Sequence, residues 1–169
     1  MRKWIFAVSL VSATPALSAD QSAQLPAFEF KGIRADQIIE KPREAGLNGC
    51  SKNGVDWTCI TSSPLAGSWS VSTYQFISGY LRTLNVSAPR SNYEGLQTAF
   101  EAKYGKPCQT VQSKWQNRAG ASLDNTETTW CFSTGKLTLY AIGDRITNSQ
   151  AIYADVSLLK ENQKPIVDF

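Results

Sequence analysis

The chain has 169 residues and a formal net charge of +3, from 17 lysine and arginine residues against 14 acidic ones, and it contains no histidine. The absence of histidine excludes the Ser-His-Asp and Cys-His nucleophile systems and removes a common protein ligand of zinc, copper and haem iron. No run of basic residues forms the stripe that nucleic-acid binding needs, so we expect no nucleic acid as a partner.

The N-terminus has the three-part pattern of a secretory signal peptide. Arg2 and Lys3 precede an apolar stretch at 4–11, and small residues follow as far as Ala19. The apolar stretch is too short for a membrane span, which takes roughly twenty residues. We therefore predict that a signal peptide at 1–19 is cleaved near Ala19. The mature protein would be periplasmic or secreted, without stable membrane insertion.

Four cysteines follow this segment, and an even number in an exported chain predicts disulfides. Three pairings of Cys50, Cys59, Cys108 and Cys131 are possible. We favour Cys50–Cys59 and Cys108–Cys131 because each bond then closes a short local loop. A zinc site is the alternative, but the C-x8-C and C-x22-C spacings are unlike a CxxC knuckle. We therefore expect neither a metal nor a cofactor.

The start of the mature chain predicts one strand and one short helix. Residues 20–26 are polar and are expected to be flexible. At 27–31 two phenylalanines alternate with other residues, as in a short strand with one buried face. Residues 35–41 fit a helix that buries the isoleucines at 38–39, and Pro42 would end it.

Three strands and a second helix follow. The strands are predicted at 55–61, 69–77 and 80–86. The last two are joined by a tight turn at Ser78-Gly79. The helix is predicted at 92–104, where Ser91 and Glu94 have the spacing of a capping box. Gly105 would end this helix.

The rest of the chain predicts a second group of strands and a flexible tail. The strands are expected at 108–115, 126–133, 136–142 and 150–158. A polar stretch at 116–125 separates the first two, and Thr134-Gly135 is the predicted turn of the next hairpin. In the last strand, Ile152 and Ala154 share a predicted buried face with Val156 and Leu158. The tail is expected at 160–169.

Two features recur at similar offsets and predict an internal repeat. The pattern F-x-[ST]-G-x-L occurs at 76–81 and again at 132–137, an offset of 56 residues. Cys50 and Cys108, each after a predicted helix, are 58 residues apart. We therefore predict an α+β fold with two helix-plus-antiparallel-sheet repeats, at 27–88 and 89–159.

This organisation resembles the β-lactamase inhibitor protein fold, and it is similar to many uncharacterised exported bacterial proteins. The resemblance runs from about Phe28 to Leu158 and rests on the opening FEFKGIRADQII, the four cysteines and the YGKP that follows the second helix. It implies that the sheets form a platform on which partner proteins bind. No inhibitory contact residue is carried over.

Two sets of side chains are candidate binding residues. Trp115 lies in a polar segment beside Lys114 and Arg118, a composition typical of binding hot spots on loops. The alternative is that Trp115 folds back onto the sheet edge. Three further aromatic residues on predicted strands are candidate stacking surfaces: Trp69, Tyr74 and Tyr80.

The leading functional hypothesis is a non-enzymatic binding module, an inhibitor, immunity-type or adaptor protein. Its partner would be another envelope or secreted protein. The alternative is a protein that binds a small ligand or a glycan. A carboxylate-based cell-wall hydrolase is a third hypothesis, although no spacing singles out a pair among the available acids Glu94, Glu101, Asp144 and Asp155.

Overall fold

A computed structural model describes residues 25–116 and 120–157, and antiparallel strands make up most of this part of the chain. The strands are β1 Glu29–Phe30, β2 Ile33–Arg34, β3 Cys50–Asn53, β4 Asp56–Leu65, β5 Ser68–Ile77, β6 Tyr80–Pro89, β7 Gln109–Gln116, β8 Ser122–Phe132, β9 Gly135–Tyr140 and β10 Asn148–Asp155. The helix α1, Tyr93–Tyr104, follows β6 after a short 3-10 turn at Arg90–Asn92.

Eight strands form one sheet in the order β3-β4-β5-β6-β10-β9-β8-β7. Each group of four consecutive strands is therefore a meander, and the two meanders meet where β6 pairs with β10. The strands β1 and β2 form a separate two-stranded hairpin.

The predicted α+β fold with two helix-plus-sheet repeats is wrong, because the described chain is mostly antiparallel sheet with one short helix. Residues 35–41 are not helical. The amide of Ala35 donates to the carbonyl of Phe28 (2.9 Å), and that of Ile39 donates to Gly79 (2.8 Å). A seven-residue helix gains few internal hydrogen bonds, and these contacts with the rest of the fold replace them. Ile38, predicted to be buried, is 58% exposed.

The β1–β2 hairpin and the residue before it contact the core face of both meanders. Lys31 and Gly32 form its two-residue turn, and both have positive φ (50° and 82°), as a type I′ turn requires. Phe28 and Phe30 are buried, as the alternation predicted. The Phe28 ring stacks on Tyr153 with 4.0 Å between centroids. The segment therefore buries its aromatic residues against the sheet.

The helix α1 confirms the prediction for 92–104 to within one residue, but its cap differs. The N-cap is Asn92, without a side-chain capping bond, so the capping box from Ser91 to Glu94 does not form. The side-chain amide of Asn92 donates instead to the backbone carbonyl of Leu65 (3.2 Å), and this bond connects the start of the helix to the end of β4. Leu96 and Phe100 are buried beneath the helix, and the Phe100 ring meets Trp130 edge to face.

The hairpin of β8 and β9 turns one residue earlier than predicted. Phe132 pairs with Gly135, so Ser133 and Thr134 form the turn. Gly135 lies in the strand, where a Cβ atom would come within 2.1 Å of the carbonyl oxygen of Ala154. The glycine thus permits a close strand contact, whereas Gly79 in the other motif is a turn residue with φ 82°. Strand β8 also begins at Ser122, inside the stretch predicted to be a polar connection.

Strand β10 presents the opposite face to the one predicted. Its buried residues are Ser149, Ala151, Tyr153 and Asp155, while Ile152 and Ala154 are only partly buried. Tyr153 donates its hydroxyl to the carbonyl of Thr134 (3.0 Å), and Asp155 pairs with Arg82 (2.9 Å). Buried polar groups with partners can replace apolar ones in a core, so counting apolar residues gave the wrong face. Leu158 lies outside the described residues.

Both predicted disulfides are present. Cys50 and Cys59 are directly opposite each other on β3 and β4, with Cα atoms 3.9 Å apart. Cys108, just before β7, is bonded to Cys131 on β8, with Cα atoms 5.9 Å apart. Each bond lies within one meander, so each meander has its own covalent link.

The predicted signal peptide 1–19, most of the segment 20–26 and the tail 160–169 lie outside the described residues. Within 25–116 and 120–157 no helix has the length and apolar character needed to cross a membrane. The disulfides are compatible with an extracellular or periplasmic protein.

Candidate functional site

The eight-stranded sheet has one covered face and one open face. On β5, Ser70, Ser72, Tyr74 and Phe76 are buried, whereas the alternate residues Trp69, Val71, Gln75 and Ile77 are exposed. The buried set lies on the core face, towards α1 and the β1–β2 hairpin. The exposed set lies on the open face. By strand register this face also carries the exposed apolar residues Ile60 on β4, Val111 on β7 and Leu123 on β8.

Four residues of the open face form what we call the apolar patch: Ile60, Pro64, Trp69 and Val71. Pro64 lies directly opposite Trp69 in the β4–β5 register, and Val71 is two residues further along β5. Trp69 is 68% exposed, Ile60 54% and Val71 44%. Strand β3 pairs only with residues 56–59, so the part of β4 that contains Pro64 is an edge of the sheet. Proline is tolerated there because no neighbouring strand on that side requires a backbone N–H.

Of the three predicted stacking residues, Trp69 and Tyr80 lie on the open face and Tyr74 does not. Tyr80 pairs with Ile77 at the β5–β6 turn, and the Arg82 guanidinium lies 5.4 Å from its ring centroid. Tyr74 is 1% exposed on the core face, so the prediction that it binds a ligand is wrong. Its neighbour across the strands is Cys59, a core residue. Burial raises the pKa of Tyr74 to about 12.

The predicted cluster around Trp115 is only partly assembled. Trp115 is half-buried on β7, and its indole N–H donates to the carbonyl of Gly143 (3.1 Å). The side chain thus folds back onto the sheet, as the alternative prediction had it. Lys114 alternates with it and forms an exposed ion pair with Asp124 on β8. Arg118 lies outside the described residues.

A groove of about 320 Å³ lies beside Trp115 on the open face of the second meander. Its lining residues are Ser113, Lys114, Trp115, Gln116, Asn125, Glu127, Tyr140, Ile142, Gly143, Asp144, Gln150 and Ile152. Glu127, Tyr140 and Gln150 are direct neighbours across β8, β9 and β10. The groove therefore combines two aromatic rings with carboxylate and amide groups.

Local hydrogen bonds hold one wall of this groove, the segment 141–143 after β9. The Asn125 side chain is buried, and it accepts from the Ile142 amide (2.7 Å) and donates to the Ile142 carbonyl (3.4 Å). The indole of Trp115 binds the next carbonyl, that of Gly143. Gly143 has no room for a side chain, because a Cβ atom would come within 2.6 Å of the Gln150 Cβ.

The sequence did not single out Asn125, Glu127, Tyr140 or Gln150 as site residues. They come together only through the pairing of β8, β9 and β10, and their separation along the chain hides this. The available signal was the alternation within β9, where Leu137 and Leu139 are buried and Tyr140 is not. Burial, together with the charge of Glu127, raises the pKa of Tyr140.

The other acids of the hydrolase hypothesis are dispersed. Glu94 and Glu101 lie on α1, Asp155 is paired with Arg82, and only Asp144 lines the groove. Within the described ranges, no group of three or more cysteine, aspartate or glutamate residues is arranged to hold a metal ion.

A second hollow, of about 460 Å³, lies at the opposite end of the sheet between the β3–β4 and β5–β6 turns. Its wall includes Ile38, Val55 and Trp57. The Lys52 ammonium lies 5.4 Å from the Trp57 ring centroid, so the chain's own cation already occupies this ring.

Comparison with protein families, curated proteins and solved structures finds no match to this chain. The similarity to β-lactamase inhibitor proteins therefore stays a prediction from the sequence.

Proposed function

We propose that the mature protein is a non-enzymatic binding module, exported to the envelope or the medium, that binds a partner protein through the open face of its sheet. The observation that carries this proposal is the apolar patch, in which Trp69 is 68% exposed, with Pro64 opposite it and Val71 two residues along β5. Clustered apolar side chains on a soluble surface typically mark interaction sites.

The scaffold behind the patch also favours binding. The backbone of a sheet holds residues on neighbouring strands in fixed positions. Little conformational entropy is therefore lost when a partner binds to them. The Cys50–Cys59 bond ties β4, which carries Ile60 and Pro64, to the edge strand β3. An exposed tryptophan in such a surface is the residue type that most often dominates binding energy.

The test is capture of partners from an extract of the cells that make the protein, with Trp69→Ser as bait beside the wild type. We expect the wild type to retain a partner that the variant loses, by about thirtyfold for a hot spot worth about 2 kcal/mol. Val55→Ser is the matched control, because Val55 is 71% exposed and lies in the β3–β4 turn, outside the patch. If the two variants retain the same proteins as the wild type, the proposal is wrong.

The groove supports a second candidate function, the binding of a small ligand. Two aromatic rings and several polar groups converge there in a concave site, which is the usual composition of ligand pockets. This function does not require the apolar patch, so Trp69→Ser would leave it intact.

A further inference from the structure

The polar atoms of the groove are divided between those used by the fold and those left free. The Trp115 N–H and the Asn125 amide hold the segment 141–143, and the amide nitrogen of Gln150 donates to Asn85 (3.0 Å). Glu127 and Asp144 have no hydrogen-bond or ion-pair partner among residues 25–116 and 120–157. The hydroxyls of Ser113 and Tyr140 and the side-chain amide of Gln116 are also without a hydrogen bond in the described chain, but the charged groups of the lining left unpaired are the two carboxylates, which only accept.

The charge of the groove follows from the same contacts. Lys114 is neutralised by Asp124, so the described lining has two uncompensated negative charges, on Glu127 and Asp144. A negatively charged ligand would be repelled by both. A neutral sugar could hydrogen-bond here but would gain nothing from the two charges. A cation needs acceptors only, and these are what the groove provides.

Several aromatic rings in the described chain, though not Trp69, already have a cation of the same chain beside them. Phe30, Trp57, Tyr80 and Tyr104 each have a lysine or arginine of this chain within 6 Å of the ring centroid. No described cation stands in that relation to Trp115 or Tyr140. Their π faces attract cations, and they lie beside unpaired carboxylates.

We infer that the groove is a binding site for an organic cation, an ammonium or guanidinium group held between Trp115, Tyr140 and the carboxylate of Glu127. Ile152 gives the site an apolar wall for the carbon atoms attached to that group. The inference goes beyond the proposed function, since it concerns a different part of the open face and a defined ligand chemistry.

The first experiment compares choline with 3,3-dimethylbutan-1-ol, a neutral molecule of the same shape, by NMR titration of the full chain. The indole N–H signal of Trp115, assigned with Trp115→Phe, reports on the groove wall. We expect choline to shift this signal with a Kd on the order of 1 mM and the neutral alcohol to bind at least tenfold more weakly. Equal binding of the two molecules, or no shift with any cation tested, would overturn the inference.

Variants separate charge from general effects on the fold. Glu127→Gln keeps the shape of the side chain and should weaken choline binding about tenfold, and Tyr140→Leu about fivefold. Glu44→Gln is the control, because Glu44 lies in the turn at 42–46 and pairs with the exposed Lys41. If Glu127→Gln and Glu44→Gln bind choline equally well, Glu127 does not act as inferred and the site is refuted.

The cation could belong to a free small molecule or to a side chain of a partner protein. Acetyl-Gly-Lys-Gly-amide and acetyl-Gly-Arg-Gly-amide, titrated beside choline, distinguish these sources. Tighter binding of a peptide indicates a basic partner segment, and tighter binding of choline indicates a quaternary ammonium ligand. Trp69→Ser should bind all three as the wild type does, so failure of the proposed function leaves this result unaffected.

Discussion

The two faces of the eight-stranded sheet are built from the same strands and differ in what covers them. On the core face, Tyr74, Trp130 and Tyr153 are at most 1% exposed, beneath aromatic residues of the β1–β2 hairpin and α1. On the open face, Trp69 alternates with core residues and is 68% exposed. Both faces therefore carry aromatic residues, and they differ in whether the β1–β2 hairpin and α1 cover them. We expect core-face changes to affect stability and open-face changes to affect binding.

The largest predicted contrast is between two tryptophans. Trp130→Ala removes a buried ring, its contact with Phe100 and the hydrogen bond from its indole N–H to the carbonyl of Gly105 (2.9 Å). It should lower the free energy of unfolding by about 3–5 kcal/mol. Trp69→Ala should change it by about 0.5 kcal/mol or less. Urea denaturation measures both, and similar losses would mean that Trp69 is also a core residue.

The disulfides give the next contrast, in accessibility. Cys59 is completely buried on the core face, whereas Cys108 is exposed at the start of β7. Because thiol attack needs access to sulfur, mild reductant should open Cys108–Cys131 first. Loss of that bond should cost about 3 kcal/mol of stability. Mass spectrometry after partial reduction and alkylation identifies the opened pair. Opening of Cys50–Cys59 first would contradict the assigned faces.

The buried tyrosines predict a smaller, pH-dependent effect. Burial raises the pKa of Tyr74 and of Tyr153 to about 12 in the folded protein. An unfolded tyrosine ionises near pH 10, so the unfolded state loses these protons first as pH rises. Stability should be unaffected by these groups below about pH 10 and should fall between about pH 10 and 12.

Phenolate absorbance and thermal melts measured over this range test that effect. The absorbance should have a phase above pH 11 that shrinks in Tyr153→Phe. If all six tyrosines of the chain ionise together near pH 10 while the protein is folded, the burial of Tyr74 and Tyr153 is wrong.

The smallest effect is expected from the ion pair of Lys114 with Asp124. Both side chains are exposed, at 69% and 82%, so solvent screens the pair. Lys114→Gln should therefore change stability by less than about 0.5 kcal/mol. It should tighten choline binding slightly, because Asp124 then adds negative charge near the groove. Tightening of choline binding by tenfold or more would show that Lys114 is not neutralised as described.

Local patterns in the sequence predicted most strands, the helix α1 and both disulfides. They failed where tertiary contacts override local preference. Residues 35–41 have a helical pattern, but the amide of Ile39 binds Gly79 instead. The face of β10 was reversed because Tyr153 and Asp155 are buried with partners from distant strands.

The candidate site was less predictable than the fold. Trp115 was identified from its polar neighbours, yet Lys114 beside it points to the other face of β7. Glu127 and Tyr140 meet only across paired strands, and a linear reading does not give that register. Trp69 is exposed because the β1–β2 hairpin and α1 cover the other face of the sheet. The alternating pattern of β5 does not by itself indicate which face is covered.

Hydroxyl-radical footprinting of the protein, free and bound to the partner captured by the wild type, shows directly whether the open face is the binding surface. We expect oxidation of Trp69 and Val71 to fall at least fivefold in the complex, since a binding hot spot is fully desolvated. Ile38, 58% exposed and outside the open face, should be oxidised equally in both states. Protection of α1, with Trp69 still oxidised in the complex, would contradict the claim that the open face is the binding surface.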